Sequence, residues 1–74
     1  MTAPAATLRL HADDNVVIAI ARLDKGAPCE PGGAAALAAI PAGHKIASAA
    51  IAQGAPVRKF GQIIGFASQP IAAG

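Results

Sequence analysis

The chain has 74 residues, of which 54% are hydrophobic and 3% aromatic, with a formal net charge of +2 and a single cysteine. This length allows one domain with a thin core, so we expect marginal stability and dependence on a partner or on further chain. The lone Cys29 excludes an internal disulfide and a cysteine-based zinc cluster, and we expect it to be a bystander rather than a nucleophile.

Charge and hydropathy also argue against a membrane or nucleic-acid partner. No run of about 18 to 20 apolar residues is available to span a bilayer, and residues 1–6 carry no basic residue typical of a secretory signal. The basic residues never form a run longer than two, at Arg58-Lys59, which gives little support for nucleic-acid binding. We therefore expect a cytoplasmic protein with a disordered tail over residues 1–6 and one domain over residues 7–74.

The first part of the chain predicts two strands, a turn between them and a loop. Residues Thr7 to His11 alternate polar and apolar side chains, with both leucines on one side, as in a half-buried strand. The cluster Asp13-Asp14-Asn15 predicts a turn, because short acidic and amide side chains hydrogen-bond to their own backbone. Val16 to Ala21 is a continuous apolar run rich in β-branched residues, which favours a strand. Lys25 to Gly33 contains two prolines and three glycines, so it predicts a loop.

The alanine-rich segment from Ala34 to Ile40 leaves two structures open. Alanine is the best helix former, but seven residues are too few for a stable isolated helix. The position of the segment between two strong turns favours a strand instead.

A phrase of the form Ile-x-x-Gly occurs three times, at Ile40-Pro41-Ala42-Gly43, Ile51-Ala52-Gln53-Gly54 and Ile71-Ala72-Ala73-Gly74. We interpret each phrase as a buried isoleucine followed by a tight turn, because glycine at the fourth place suits a backbone with positive φ. The first two phrases lead into the predicted strands His44 to Ile46 and Ala55 to Phe60.

Two further features complete the predicted elements. We expect a short helical turn over Ala47 to Ile51, and a tight reversal or a bulge between Gly61 and Gly65. The sequence therefore predicts a small, mostly β domain of short bent strands, with structural glycines at Gly43, Gly54, Gly61 and Gly65 and at most one short helical turn.

Three segments resemble the N-terminal SAF (antifreeze-like) domain of the altronate and galactarate dehydratases. They are His11-Ala12-Asp13-Asp14-Asn15-Val16, Ile40-Pro41-Ala42-Gly43-His44-Lys45-Ile46-Ala47 and Lys59-Phe60-Gly61-Gln62-Ile63-Ile64-Gly65-Phe66-Ala67. They occur in the order and spacing of the family, and the likeness covers nearly everything from Leu8 to Gly74. The resemblance implies a β-clip fold and assigns Ala34 to Ile40 to a strand.

The resemblance also implies a function. Dehydratases of this family remove water from a sugar acid such as altronate or galactarate, so we expect an accessory or substrate-binding domain of a hydro-lyase that is inert alone. Iron, a divalent metal, is implied for the full enzyme, and no cofactor is expected in this fragment. The implied partners are the sugar acid and either the remainder of the dehydratase chain or a large catalytic subunit.

Family members continue past the third Ile-x-x-Gly phrase, and we therefore expect the chain to be an N-terminal fragment of a longer enzyme. Two alternatives stay open: a stand-alone binding or assembly module of the SAF type, and the small subunit of an enzyme similar to sulfolactate sulfo-lyase. A homo-oligomer formed through an exposed strand edge is a further possibility.

Two histidines are the catalytic candidates. His11 and His44 both lie next to predicted strand ends or turns, where a side chain can point into a cleft, and a neutral imidazole can act as a ligand or base. They lack the close spacing of a metal-binding pair. The alternative for each is a local hydrogen bond or a surface position.

Four other residues are candidates for binding the substrate. Lys45 and Lys59 match family positions and can bind a carboxylate as ammonium point charges, although lysine also protects strand edges from aggregation. Asp14 and Asn15 are candidates as well, but we expect them to act first of all as turn formers.

Overall fold

The computed structural model describes residues 6–74, which contain strands and no helix. The strands are β1 (Thr7–Leu8), β2 (Val16–Ala19), β3 (Lys45–Ala47), β4 (Pro56–Lys59) and β5 (Gln62–Phe66). β1, β2 and β3 form one antiparallel sheet in that order, and β4 and β5 form a second. The predicted fold, a small and mostly β domain of short strands, is therefore confirmed. Among residues 6–74 no helix is long and apolar enough to cross a membrane.

The sequence predicts a disordered tail over residues 1–6, and the first five of these residues lie outside the described part of the chain. Only Ala6 is described, and its carbonyl accepts a hydrogen bond of 2.8 Å from the Ile20 amide.

β2 contributes to two cores, one on each face of the three-stranded sheet. Val17 and Ala19 point into the first core, and Val16 points into the second. The other buried members are Leu23, Cys29, Ala36 and Ile46 in the first core, and Ile51 and Ala67 in the second. A strand covered on both faces needs apolar residues at successive positions, which explains the continuous run in the sequence.

β1 is shorter than the predicted strand from Thr7 to His11. It ends at Leu8, and the next residue, Arg9, donates a side-chain hydrogen bond of 2.7 Å to the Asp14 carbonyl. Leu8 is 49% exposed, whereas Leu10 is half-buried. The two leucines therefore do not lie together on the buried face that the sequence predicted.

The segment between β2 and β3 is an irregular hairpin, and the continuous strand assigned to Ala34 to Ile40 is wrong. Single bridges join Pro28 to Ala35 and Leu23 to Ile40. The ladder breaks between these bridges because the Leu37 amide donates to the Gly74 carbonyl, at 2.8 Å, instead of to the facing segment.

The helical turn predicted over Ala47 to Ile51 is also wrong, because β pairing holds both of its ends. Ala47 belongs to β3. Ile51 forms a bridge with Ile71, in which each amide donates to the other carbonyl at 2.8 Å. The second and third Ile-x-x-Gly phrases are thus paired with each other. The glycines of the three phrases all have positive φ, at 84° for Gly43, 82° for Gly54 and 93° for Gly74, as predicted.

β4 and β5 form a hairpin with a β-bulge. Val57 pairs with Gly65 but Arg58 pairs with Ile63, so Ile64 is the extra residue. The predicted reversal or bulge is therefore a bulge within β5, and Gly65 lies in this strand rather than in a turn.

Candidate functional site

The turn before β2 docks onto the tip of the β4–β5 hairpin through Asp14. Asp14 is buried, with 5% of the residue exposed. One carboxylate oxygen accepts a hydrogen bond of 2.9 Å from the Phe60 amide, and the other accepts one of 2.7 Å from the Gly61 amide. The carboxylate therefore binds both central residues of the hairpin turn at once.

This contact stabilises an unfavourable backbone. Phe60 and Gly61 have φ values of 60° and 69°, and the pair lies between Lys59 and Gln62, which face each other in the ladder. Positive φ at both central positions is typical of a type I′ hairpin turn, which normally carries asparagine or glycine at the first position. Phenylalanine is strained there, and the two charge-assisted hydrogen bonds that the Asp14 carboxylate accepts offset that strain.

The environment of Asp14 keeps the carboxyl ionised. Burial raises its pKa, but the hydrogen bonds from Gly61 and Phe60, together with the nearby His11 and Arg9 side chains, lower it more. The net result is a pKa below the ordinary value of 3.8. Asp14 is thus a permanent anion near neutral pH, with its oxygens occupied by the backbone of the hairpin.

Asn15 makes a second contact between the same turn and the hairpin. Its side-chain nitrogen donates to the Pro56 carbonyl at 2.9 Å, and its side-chain oxygen accepts from the Arg58 amide at 2.8 Å. The side-chain amide thus pairs with the free edge of β4 as the backbone of a neighbouring strand would, through one donor and one acceptor. The predicted turn at Asp13-Asp14-Asn15 is present, and its last two side chains hold the two sheets together.

The His11 side chain lies against the hairpin turn with one nitrogen occupied. Its Nδ1 accepts a hydrogen bond of 3.0 Å from the Asp13 amide. An added methyl group on Gly61 would come within 3.0 Å of the imidazole, so the ring packs directly on this glycine. Since Nδ1 acts as an acceptor, the proton of the neutral ring is on Nε2. The side chain is 48% exposed, which leaves Nε2 available as a hydrogen-bond donor.

The predicted site residues divide into two groups at opposite ends of β2. His11, Asp14 and Asn15 lie at the start of β2, together with the hairpin turn that follows the half-buried Lys59. Lys45 faces Ile18, which is three residues beyond Asn15 and about 10 Å along the strand.

His44 lies one residue further from the first group, where its carbonyl accepts from the Ala19 amide at 2.9 Å. His44 and Lys45 are both exposed. The structure therefore does not bring the two histidines to one site.

No metal site is evident among residues 6–74, which hold no group of three or more histidine, cysteine, aspartate or glutamate side chains arranged to bind an ion. Asp13 is the acidic side chain beside His11, at 3.8 Å between Oδ2 and Nδ1. The Asp14 carboxylate is already taken up by two backbone amides. The donors near His11 therefore do not fit a metal ion by themselves.

Sequence reasoning missed the ion pair of Arg9 and Glu30, which supports this end of the molecule. Arg9 donates to both carboxylate oxygens of Glu30, at 2.9 and 3.3 Å, and to the Asp14 carbonyl. The hydrogen bond with Glu30 raises the pKa of Arg9 above its ordinary value, against the lowering effect of burial. The two residues are 21 positions apart, and nothing in the local pattern of either one indicates the other.

The small β fold, with its cluster of paired turns, places the chain in the class of compact domains built from short bent strands. Residues 5–74 match the family described as the altronate/galactarate dehydratase SAF domain. The chain therefore belongs to this family. No curated protein matches the chain closely enough to add a named relative.

Proposed function

We propose that this chain is the accessory, substrate-binding domain of a cytoplasmic sugar-acid dehydratase of the altronate or galactarate type. The observation that carries the proposal is the family match over residues 5–74. It is supported by the turn in which His11, the Lys59 strand end and Gly61 come together. A hydro-lyase acting on a sugar acid must hold a carboxylate and several hydroxyl groups before any bond breaks, which is a task for donors and cations.

In this proposal His11 binds the substrate as a hydrogen-bond donor. Its Nδ1 is occupied by the Asp13 amide at 3.0 Å, so Nε2 carries the proton and can donate to a hydroxyl or carboxylate oxygen of the sugar acid. The role of a base at Nε2 would first require loss of that proton. Lys59, directly before the turn, supplies an ammonium charge for the carboxylate.

The proposal leaves abstraction of the proton and departure of hydroxide to another part of the enzyme. A large catalytic region, in the same chain or in a separate subunit, would supply these groups, together with the iron that the family resemblance implies. We accordingly expect purified chain to show no turnover of altronate or galactarate in the presence of ferrous iron.

The test is a titration of the isolated domain followed by NMR. Galactarate should shift the signals of His11, Lys59 and Gly61, whereas galactitol, which has hydroxyl groups but no carboxylate, should shift them at least tenfold less at equal concentration. Gly61→Ala should weaken the galactarate response at least tenfold, because a β-carbon there meets the imidazole at 3.0 Å.

Gly54→Ala is the matched control. Gly54 also has a positive φ, at 82°, but a β-carbon there meets no atom within 4 Å. This variant should bear the same backbone strain and still respond to galactarate. Equal responses to galactarate and galactitol, or no response to either, would contradict the proposal and favour a binding or assembly module of another kind.

A further inference from the structure

The bulge in β5 gives the β4–β5 hairpin an apolar outer face. Pro56 and Arg58 alternate with Val57, which packs in the second core, so these two side chains point away from that core. Their partners across the ladder are Phe66 and Ile63, which must share the outer face. Residues three apart in a regular strand lie on opposite faces, and the extra residue of the bulge brings these two to the same one.

The residues of β5 are exposed although they are large and apolar. Ile63 is 52% exposed, Ile64 49% and Phe66 68%; we call these three residues the β5 surface. Phe60, at the hairpin turn, is 65% exposed, so both phenylalanines of the chain lie outside the two cores. β5 contains no charged residue.

Among the described residues, the outer edge of β5 lacks the charge, the covering side chain or the shortness that protects the other strand edges, and its bulge is the one interruption of that edge. Asn15 covers the free edge of β4, Lys45 lies on β3, and β1 is only two residues long. In the part of the chain that the structure describes, no strand pairs with the second edge of β5. An uncharged edge rich in β-branched residues favours pairing with another strand.

We propose that β5 pairs antiparallel with β5 of a second copy of this chain, which creates a four-stranded sheet of order β4-β5-β5-β4. A twofold contact of this kind requires a self-complementary surface. With Ile63 of each copy opposite Phe66 of the other, β5 offers two identical aromatic to β-branched pairs on the outer face, a favourable cross-strand combination.

Charge does not oppose this pairing. The charged side chain on the outer face is Arg58, in β4, so its two copies would stand three strand spacings apart, about 14 Å. That distance exceeds the Debye length of about 8 Å at physiological ionic strength. The repulsion between the two guanidinium groups is therefore mostly screened.

The area of the surface sets the strength of the association. The side chains of the β5 surface stand on the faces of the sheet, so pairing at the strand edge covers only the parts of them that meet across the contact. A single strand of five residues therefore gives a contact area well below the roughly 1,200–2,000 Å² typical of stable complexes. We therefore expect a reversible dimer that dissociates on dilution.

Sedimentation equilibrium of the wild-type chain over a hundredfold range of concentration tests the proposal. The average mass should rise from one chain towards two, and the amides of β5 should become protected from hydrogen exchange at the high end of the range. Ile63→Lys should weaken association at least tenfold, because it places a charge on the β5 surface of each copy.

Ile20→Lys is the matched control, since Ile20 is similarly exposed, at 56%, but lies outside the hairpin. It should associate as the wild type does, and circular dichroism establishes that both variants are folded. If Ile63→Lys does not fold, protection of the wild-type β5 amides decides the question. A wild-type mass that does not depend on concentration would overturn the proposal, as would equal association of the two variants. The proposal would also fail if the chain stays a monomer and its β5 amides become protected only when the dehydratase catalytic region is added. In that case the catalytic region is the partner of β5.

Discussion

Asp14 stabilises the hairpin turn only while its carboxyl is ionised, because both oxygens accept hydrogen bonds from backbone amides. Its pKa in the folded chain is below 3.8, so near that pH the folded state binds fewer protons than the unfolded state, and stability rises with pH. The stabilisation is complete above the ordinary pKa and is lost as the pH falls through the lowered one. Asp14→Asn should therefore lower the melting temperature at pH 7, with a difference that shrinks below about pH 4.

Thermal melts of both proteins from pH 7 to pH 2 measure this difference. Asp13→Asn is the control, because the Asp13 side chain is 71% exposed and makes no hydrogen bond to the hairpin. A difference between wild type and Asp14→Asn that stays constant down to pH 2 would show that the charge of Asp14 has no part in holding the turn.

Single residues also show where sequence reasoning reaches its limit. The turn-forming role of Asp14 and Asn15 follows from their own short side chains. Their second role does not, because their partners in the hairpin are 41 to 47 positions further along the chain. The strained φ of Phe60 was unforeseen for the same reason, since the carboxylate that stabilises it comes from a distant turn.

Among the elements, β4 depends on the side chain of Asn15 for its free edge. Asn15→Ala removes the partners of the Pro56 carbonyl and the Arg58 amide together. Because these two half-buried backbone groups would lose their hydrogen-bond partners, the variant should have a free energy of unfolding lower by about 1–3 kcal/mol. Chemical denaturation measures this loss, and hydrogen exchange should accelerate at Arg58.

The Leu23 amide provides the internal control for this variant. It donates to the Ile40 carbonyl at 2.9 Å, in the irregular hairpin that packs on the first core. Its exchange should change only by the global loss of stability, while Arg58 shows an additional local increase. Equal acceleration at both amides would mean that the Asn15 side chain is not a local support of β4.

The sequence predicts the elements whose own residues favour one conformation. It does not predict the elements whose conformation depends on hydrogen bonds to residues far along the chain. β2 and the glycine turns follow from β-branched residues and from the φ freedom of glycine. The segments Ala34 to Ile40 and Ala47 to Ile51 lack such signals, since alanine is compatible with either structure. Their conformations are decided by hydrogen bonds to Gly74 and Ile71, which no local window contains.

At the scale of the whole molecule, the two cores share one sheet and should unfold together. Ile46→Ala creates a cavity in the first core, where Ile46 is 3% exposed, and should cost about 2–5 kcal/mol. A chain of 74 residues has a total stability of about 4–11 kcal/mol, so the variant should be close to its unfolding threshold.

Hydrogen exchange at two amides measures whether the cores are coupled. Leu23 belongs to the first core and Ala67 to the second, and Ile46→Ala should accelerate both by the same factor. Ile20→Ala, at a site 56% exposed, should change neither appreciably. Acceleration confined to Leu23 would show two independently unfolding units.

The burial of β2 on both faces also restricts how its sequence can vary. A shift of this strand by one residue would move Ile18 or Ile20 into the space of Ala19, which is fully buried, and such overpacking typically costs about 1–3 kcal/mol. The alternation of large and small side chains therefore sets the register. The buried positions Val16, Val17 and Ala19 have no room for an unpaired polar group, so we expect changes that adapt the domain to a new ligand in the turns at the two ends of β2 and in the β4–β5 hairpin.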